Sequence, residues 1–337
     1  MKVAIDKTTI SKIDKKHNYV YIINEESLDE LLKLNIRCVD KDHVGMVDIN
    51  LTDYDIDCIK KANINDKEWD KIEFKENKIA IIVPNCNYEE CLEKCLTSIL
   101  DQTYSNYQII FVDDMSTDNS VKVAKGLLKP PHKVIELKQK RLNGGARNEA
   151  YLHMDEDVDY VWYVDSDDWI KDKYVLENIN KKLQSKPDVL FIAMDRYKNQ
   201  KESTVFVPKY KDKYEAIKGW SGSCGKVIKK QLATRQECLY NEGTLKEDRN
   251  QHCKICIYMT SFKNLEIPCY VWNQENRKSV TTIRDKVVWG TSTIRHYADT
   301  LQLYLSEKGK DATIDRYLQQ RVEQTRREVL SGGDAQW

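Results

Sequence analysis

Three short apolar runs constrain this chain most, because each has the length of a buried strand and each breaks off in polar or acidic residues. They are residues 79–83, followed by Pro84; residues 109–112, followed by Asp113 and Asp114; and residues 160–164, followed by Asp165, Ser166, Asp167 and Asp168. Between the first two, Leu92, Cys95, Leu96, Ile99 and Leu100 recur at helical spacing. Strand, helix, strand is the unit of a parallel sheet. A helix from Asp118, whose side chain can cap it, a strand near residues 134–137, a helix over residues 145–153 and the strand at Tyr160 continue the series. Ligands of such sheets collect at the carboxyl ends of strands, so residues 84–88, 113–116 and 165–168 are expected to converge on one crevice.

The last of these segments draws attention first. Carboxylates clustered at a strand end repel one another unless a cation lies among them, and a divalent metal is the usual solution. An all-oxygen set suits Mg2+ or Mn2+.

The chain has 337 residues, enough for one large or two modest domains. Its 54 basic and 54 acidic residues cancel, so no global field draws it to nucleic acid or anionic lipid. No apolar run approaches the roughly 20 residues of a membrane span, and the first residues lack the apolar core of a signal peptide. A cytoplasmic protein is expected, with its 10 cysteines reduced and mostly buried. Residues 1–78 form a separate addition of unassigned role. Strands are expected at residues 20–23 and 44–49, and a helix over residues 27–34 capped by Ser27 with Glu30 at capping-box spacing. After Asp168 a helix is expected over residues 174–183, a strand at 189–193, a flexible glycine-containing loop at 219–225, a helix over 246–258 and two closing helices at 287–305 and 311–330.

The series Pro84 to Tyr88, Val112-Asp113-Asp114, Asn143 to Asn148, Val164 to Asp168 and Glu247-Asp248 resembles, in this order, the motifs of family 2 glycosyltransferases. The opening strand and loop through Pro84, Asn85, Cys86, Asn87 and Tyr88, the helix ending in Asp101-Gln102-Thr103-Tyr104, and Val112-Asp113-Asp114-Met115-Ser116-Thr117-Asp118 match the family's first elements. Asn143-Gly144-Gly145-Ala146-Arg147-Asn148, Val164-Asp165-Ser166-Asp167-Asp168, the pair Glu247-Asp248 and residues 270–281 match the later ones. Each motif alone is weak; the series spans residues 79–282 in the family's order.

The resemblance implies an α/β fold of the GT-A type. Its mostly parallel sheet, flanked by helices, would occupy residues 79–284, with the small α/β addition before it and a helical region at 285–337 after it. It implies transfer of a sugar from a nucleotide-sugar, most simply a UDP-sugar, to an acceptor hydroxyl on a saccharide or glycoconjugate, with inversion. A modified base in DNA is the alternative acceptor, and a non-catalytic nucleotide-sugar-binding scaffold the alternative role. By resemblance, Asp167 is the first metal ligand, Asp165 contacts metal or ribose, and Asp168 is a further partner. Pro84, Asn87, Tyr88, Asp113 and Asp114 would hold the nucleoside. Arg147 would reach the donor phosphates or brace the carboxylates. Asp248 is the base by resemblance, with Glu247 second. Trp220, Ser221 and Ser223 would line the acceptor side, and Tyr270, Trp272, Arg277 and Ser279 a lid.

Two residues depart from the family pattern. Cys86 stands where an aromatic is frequent, leaving base stacking to Tyr88 or to none. Met115 stands where glycine is frequent, so that position is expected to avoid a left-handed backbone. Cys253 and Cys256 lack a second pair to complete a zinc site, and their spacing on a helix places them on one buried face.

Overall fold

The structure, a computed structural model, describes residues 75–276 and 286–331 together with three short strands, β1 (Val3–Ala4), β2 (Tyr19–Tyr21) and β3 (Met46–Asp48). The chain divides into two units, residues 1–76 with 174–186, and residues 77–173 with 187–337. In the first, β2 lies between β1, parallel to it, and β3, antiparallel to it. That unit also holds helix α4 (Val175–Leu183). The helix expected at residues 27–34 lies outside the described residues.

In the second unit the three apolar runs are adjacent strands. β4 (Ile79–Asn85) has β5 (Tyr107–Asp113) on one side and β7 (Tyr160–Tyr163) on the other, all parallel, and β6 (Lys133–Glu136) extends the β5 edge. Every residue of β4 is buried, which is why the run is continuously apolar rather than alternating. Each large aliphatic side chain so buried contributes ~1.5–3 kcal/mol.

Pro84 was expected to end this strand; the strand instead continues through it to Asn85. The β7 ladder stops at Ile82 and Tyr163, and the Pro84 carbonyl on that side takes the Ser166 hydroxyl at 2.7 Å. The missing proline N–H therefore interrupts no rung.

Helix α1 (Glu89–Leu100) buries Leu92, Cys95, Leu96 and Ile99, the stripe legible in the sequence. Helix α2 (Ser120–Leu127) starts two residues later than expected because Asp118 serves two helices. Its Oδ1 accepts from Ser120 N and its Oδ2 from Glu89 N, both at 3.0 Å, while Glu89 returns a carboxylate oxygen to Asn119 N at 2.6 Å. Two helix N-termini thus satisfy each other's free N–H groups. Helix α3 (Leu142–Tyr151) begins before the expected position, and helix α5 (Glu247–Tyr258) close to it.

Beyond β7 the sheet turns mixed, departing from a mostly parallel arrangement. β11 (Lys226–Lys229) is antiparallel to both β7 and β9 (Val189–Lys198), and β9 pairs in parallel with the long β12 (Phe262–Asn273). β8 (Trp169–Ile170) closes that edge and β10 (Lys201–Phe206) forms a hairpin with β9. Helices α6 (Lys286–Glu307) and α7 (Ala312–Leu330) pack on each other and against α5. Among the described residues no helix is long and apolar enough to cross a membrane.

Candidate active site

In the order β6-β5-β4-β7 the chain winds outward from β4 to β5 and β6 and then returns to the other side of β4 for β7, so the strand order reverses between β4 and its neighbours, the place where parallel sheets open a ligand crevice. The loops after β4, β5 and β7 meet there, as their sequences imply. Asn85 Nδ2 donates to Asp113 Oδ1 at 2.9 Å and to Ser116 Oγ at 3.0 Å. Asn87 N donates to Ser116 Oγ at 2.9 Å, and Asn87 Oδ1 accepts from Thr117 N at 2.7 Å. Tyr88 starts α1, its carbonyl accepting from Cys91 N and Leu92 N at 3.0 Å.

Met115 does adopt the left-handed backbone that its side chain was expected to forbid, with φ 61°. That turn lets Ser116 N return to Asp113 Oδ2 at 2.8 Å, and the side chain, 48% exposed, meets no crowding. A non-glycine residue in this conformation costs roughly 1–2 kcal/mol.

Asp113 and Asp114 are both buried, and their oxygens are engaged by the protein. Asp114 accepts from Arg141 N at 2.7 Å and Leu142 N at 2.8 Å, so it caps α3 from another loop. Lys140 links the same region, donating to the Asp114 carbonyl at 2.7 Å and to Cys86 Sγ at 2.6 Å.

Arg147 is the centre of the acidic cluster. Its Nη2 donates to Asp165 Oδ1 at 2.8 Å, and its Nη1 to Glu247 Oε1 at 2.8 Å and Asp248 Oδ1 at 3.1 Å. These are the contacts that Arg147 needs to brace the carboxylates. Burial works against its charge, but Asp248 and Asp165 outweigh that and hold its pKa well above the usual arginine value. Gly144 makes the approach possible, because a Cβ there would lie 2.7 Å from the Asn241 carbonyl oxygen and 3.3 Å from Glu247 Cγ.

The carboxylates after β7 divide into different environments. Asp165, a third exposed, has its pKa raised by burial, with Arg147 opposing. Asp167 is pushed up to about 6 by burial and by Asp165; Asn276 Nδ2 donates to it at 2.9 Å, and among the described residues no lysine or arginine pairs with it. Asp168 is buried, accepts from the Tyr270 hydroxyl and from Asn273 N at 2.7 Å, and is driven well above the carboxylate range by burial and then by Asp167. It ties β12 to the strand end.

Tyr270 is fully buried, and its hydroxyl serves Asp168 and Asp165 N, so it belongs to the floor of the site rather than to a lid. Trp272 packs edge-on against Trp220 at 5.8 Å; Arg277 and Ser279 lie outside the described residues. Cys253 and Cys256 are buried, with Cys253 Sγ facing the Tyr317 hydroxyl at 3.9 Å and Cys256 Sγ facing His252. Tyr240 and Asn273 were not singled out from sequence, because neither sits in a recognisable motif.

No three acidic, histidine or cysteine side chains among the described residues converge as a closed metal cage. An open site still fits the residues present. Mg2+ is commonly held by one or two carboxylates plus substrate phosphates, and Asp167, acidic, desolvated and without a cationic partner among the described residues, suits such an ion. Asp165 keeps one oxygen uncommitted to Arg147.

Residues 80–247 match the family model described as Glycosyl transferase family 2. Through this segment the chain belongs to glycosyl transferase family 2. The glycosyltransferase GlyA of Streptococcus pneumoniae is 41% identical over 109 residues, covering 32% of this chain and 15% of GlyA. A poly(ribitol-phosphate) beta-glucosyltransferase of Bacillus spizizenii is 32% identical over 117 residues, covering 33% of this chain and 18% of that protein. This chain thus spans well under half of either relative.

The GT-A fold is shared with solved structures at lower identity. S. aureus TarS 1-349 in complex with UDP-GlcNAc superposes with TM-score 0.58 and 18% identity, covering 75% of this chain and 73% of that one. The mannosyltransferase PcManGT of Pyrobaculum calidifontis, in complex with GDP-Man and Mn2+, gives TM-score 0.53 and 15% identity over 75% and 72%. In this family 2 domain the matched segment runs from β4 to the first residue of α5, and so takes in the crevice and Arg147.

Proposed function

We propose that this chain transfers a sugar from a nucleotide-sugar, a UDP-sugar in the first instance, to a hydroxyl of a polyol-phosphate or saccharide acceptor with inversion. The observation that carries this reading is the buried guanidinium of Arg147, which holds Asp165, Glu247 and Asp248 together at the sheet's switch point. It links the strand end that would meet the donor to the helix start that would meet the acceptor. The name of the Bacillus spizizenii relative supports poly(ribitol-phosphate) as an acceptor class rather than DNA, the other acceptor left open by the sequence.

In the proposed reaction the acceptor oxygen attacks the anomeric carbon as the bond from that carbon to the donor phosphate breaks. The nucleoside diphosphate leaves with the bonding electrons, and the acceptor proton passes to Asp248. One bond forms, one breaks, and one proton moves. Asp248, more than a third exposed at the end of a buried cluster, is accessible for that role. Asp167 and Asp165 would hold Mn2+ or Mg2+ with the donor phosphates, and the ion would supply positive charge for the leaving group. Asp113, Asn87 and Tyr88 form the nucleoside side. A scaffold role is the less economical reading, since it leaves the assembled carboxylates without a task.

A direct test is nucleotide release from UDP-N-acetylglucosamine, UDP-glucose and GDP-mannose with Mn2+, with and without ribitol phosphate as acceptor. Acceptor-stimulated release from one donor supports the proposal. Absence of release from all of them, with thermal stabilisation by UDP or GDP retained, favours the binding scaffold, and absence of both release and stabilisation contradicts a nucleotide-sugar site.

A further inference from the structure

Asp248 is gripped on one side only. Its Oδ1 accepts from the Ser223 hydroxyl and from Arg147 Nη1 at 3.1 Å, while among the described residues nothing bonds its Oδ2. The direction of the chain behind it follows from proton counting. A carboxylate only accepts, so Ser223 must donate its one hydroxyl proton to Asp248, and the buried Tyr240 hydroxyl, 2.6 Å from Ser223 Oγ, must donate to the serine.

Both members are fixed by their surroundings. Tyr240 N donates to Asn148 Oδ1 at 3.0 Å and Asn148 Nδ2 to the Tyr240 carbonyl at 2.9 Å, so the residue beside Arg147 on α3 clamps the tyrosine backbone. The Tyr240 ring packs edge-on against Tyr163 at 5.7 Å, with the Arg147 guanidinium 5.2 Å from its centre. Ser223 follows a turn held by the buried Lys226, whose ammonium donates to the Ser221 carbonyl at 3.0 Å and the Gly222 carbonyl at 2.7 Å. A Cβ at Gly222 would lie 2.5 Å from Trp220 Nε1, so glycine is needed for the loop to wrap the indole. A buried ammonium committed to two backbone carbonyls is costly in desolvation, and here it specifies the loop that delivers Ser223.

We infer that Ser223 and Tyr240 are positioning residues that fix the Asp248 carboxylate, leaving Oδ2 as the atom that receives the acceptor's proton. This rests on the reading of Asp248 as base. It assigns to the glycine-containing loop the orientation of the base, beyond any lining of the acceptor side.

The test is a double-mutant cycle of Ser223→Ala and Asp248→Ala, with Tyr240→Phe alongside, reading kcat, donor KM and melting temperature with the donor and acceptor of the release assay. Loss of a hydrogen bond to a charged group corresponds to roughly a ten- to hundredfold fall in kcat for Ser223→Ala. Donor KM should stay within about twofold, since the bond is remote from the nucleotide. Tyr240→Phe should give a smaller fall in the same parameter. In the Asp248→Ala background Ser223→Ala should cause no further fall.

Because Ser223→Ala strands the buried tyrosine hydroxyl, Ser223→Ala/Tyr240→Phe, which removes both ends, is measured if the single variant does not fold. An unchanged kcat in a folded variant, or an equal fall with and without Asp248, overturns the inference while leaving the base reading standing. An unchanged kcat for Asp248→Ala alone removes the base reading, and this inference with it.

Discussion

Arg147 Nη1 lies 2.8 Å from Glu247 Oε1, and the two side chains, 100 residues apart in sequence, are only 1% and 5% exposed. An ion pair so buried contributes little net stability, because desolvation offsets its attraction, but removing one partner is expensive. Arg147→Ala is expected to lower the unfolding free energy by about 3–5 kcal/mol, read from urea denaturation. Arg147→Lys should recover only part of it, since one ammonium cannot present separate nitrogens to Asp165 and Glu247. Equal stability of Arg147→Ala and the unsubstituted protein would mean that the carboxylates do not depend on this guanidinium.

The same pair sets a pH dependence. Burial first, and Asp248 second, push the Glu247 carboxyl up to about 7 from an ordinary 4.5, with Arg147 opposing. The folded state therefore holds a proton that the unfolded chain has released between those values. The associated stability is fully present below about 4.5 and is lost as pH rises through about 7. Glu247→Gln, which mimics the protonated group, should flatten the trend. Urea midpoints across this interval should show the unsubstituted protein losing stability relative to Glu247→Gln as pH rises; a difference that does not change with pH would contradict the shift.

Neighbouring aspartates should separate by function. Asp168 is tied to Tyr270 and Asn273 N, whereas Asp167 accepts from Asn276 and faces a cavity of about 550 Å³ also lined by Lys94, Trp169 and Asn273. Asp168→Ala should cost about 1–3 kcal/mol, since the buried Tyr270 hydroxyl and the half-buried Asn273 N–H lose their acceptor. Asp167→Asn should leave the melting temperature within a few degrees and abolish the effect of Mn2+ on nucleotide binding. Calorimetric titration and melting curves on both variants check this; the reverse pattern would exchange their roles.

The closing helices also reach the acidic pair. Lys246, immediately before Glu247, donates to Glu328 of α7 at 2.9 Å, with both side chains under a tenth exposed. Glu328→Ala removes a buried carboxylate from beside a buried ammonium, and should cost about 3–5 kcal/mol. It should also lower kcat by shifting the start of α5. Retained stability with normal turnover would show that α7 does not support the site.

The parallel half of the sheet was legible because its strands are buried on both faces, so residues 79–83, 109–112 and 160–164 stand out as apolar blocks. β10 is almost wholly exposed, β11 is a four-residue strand with a lysine at each end, and β12 carries register shifts around Pro268. None of these keeps the alternation that betrays a strand. The site divided along the same line. Asp165, Asp167, Arg147, Glu247 and Asp248 belong to recognisable motifs, and the resemblance placed them in one crevice. Ser223, named from sequence only as lining the acceptor side, reaches Asp248 across 25 residues, and Tyr240, with no motif to mark it, reaches it through Ser223 across a further 17. Met115 shows the opposite limit, where a hydrogen-bonded turn overrode a residue's backbone preference.

The proposed function requires a nucleotide-sugar site completed by a divalent ion at Asp167. Its most direct test is calorimetric titration of UDP, with and without Mn2+, into the unsubstituted protein and Asp167→Asn. The account predicts UDP binding that strengthens at least tenfold with Mn2+, about 1.4 kcal/mol, in the unsubstituted protein only. UDP binding that ignores Mn2+ in the unsubstituted protein, or an equal response to Mn2+ in Asp167→Asn, would contradict it.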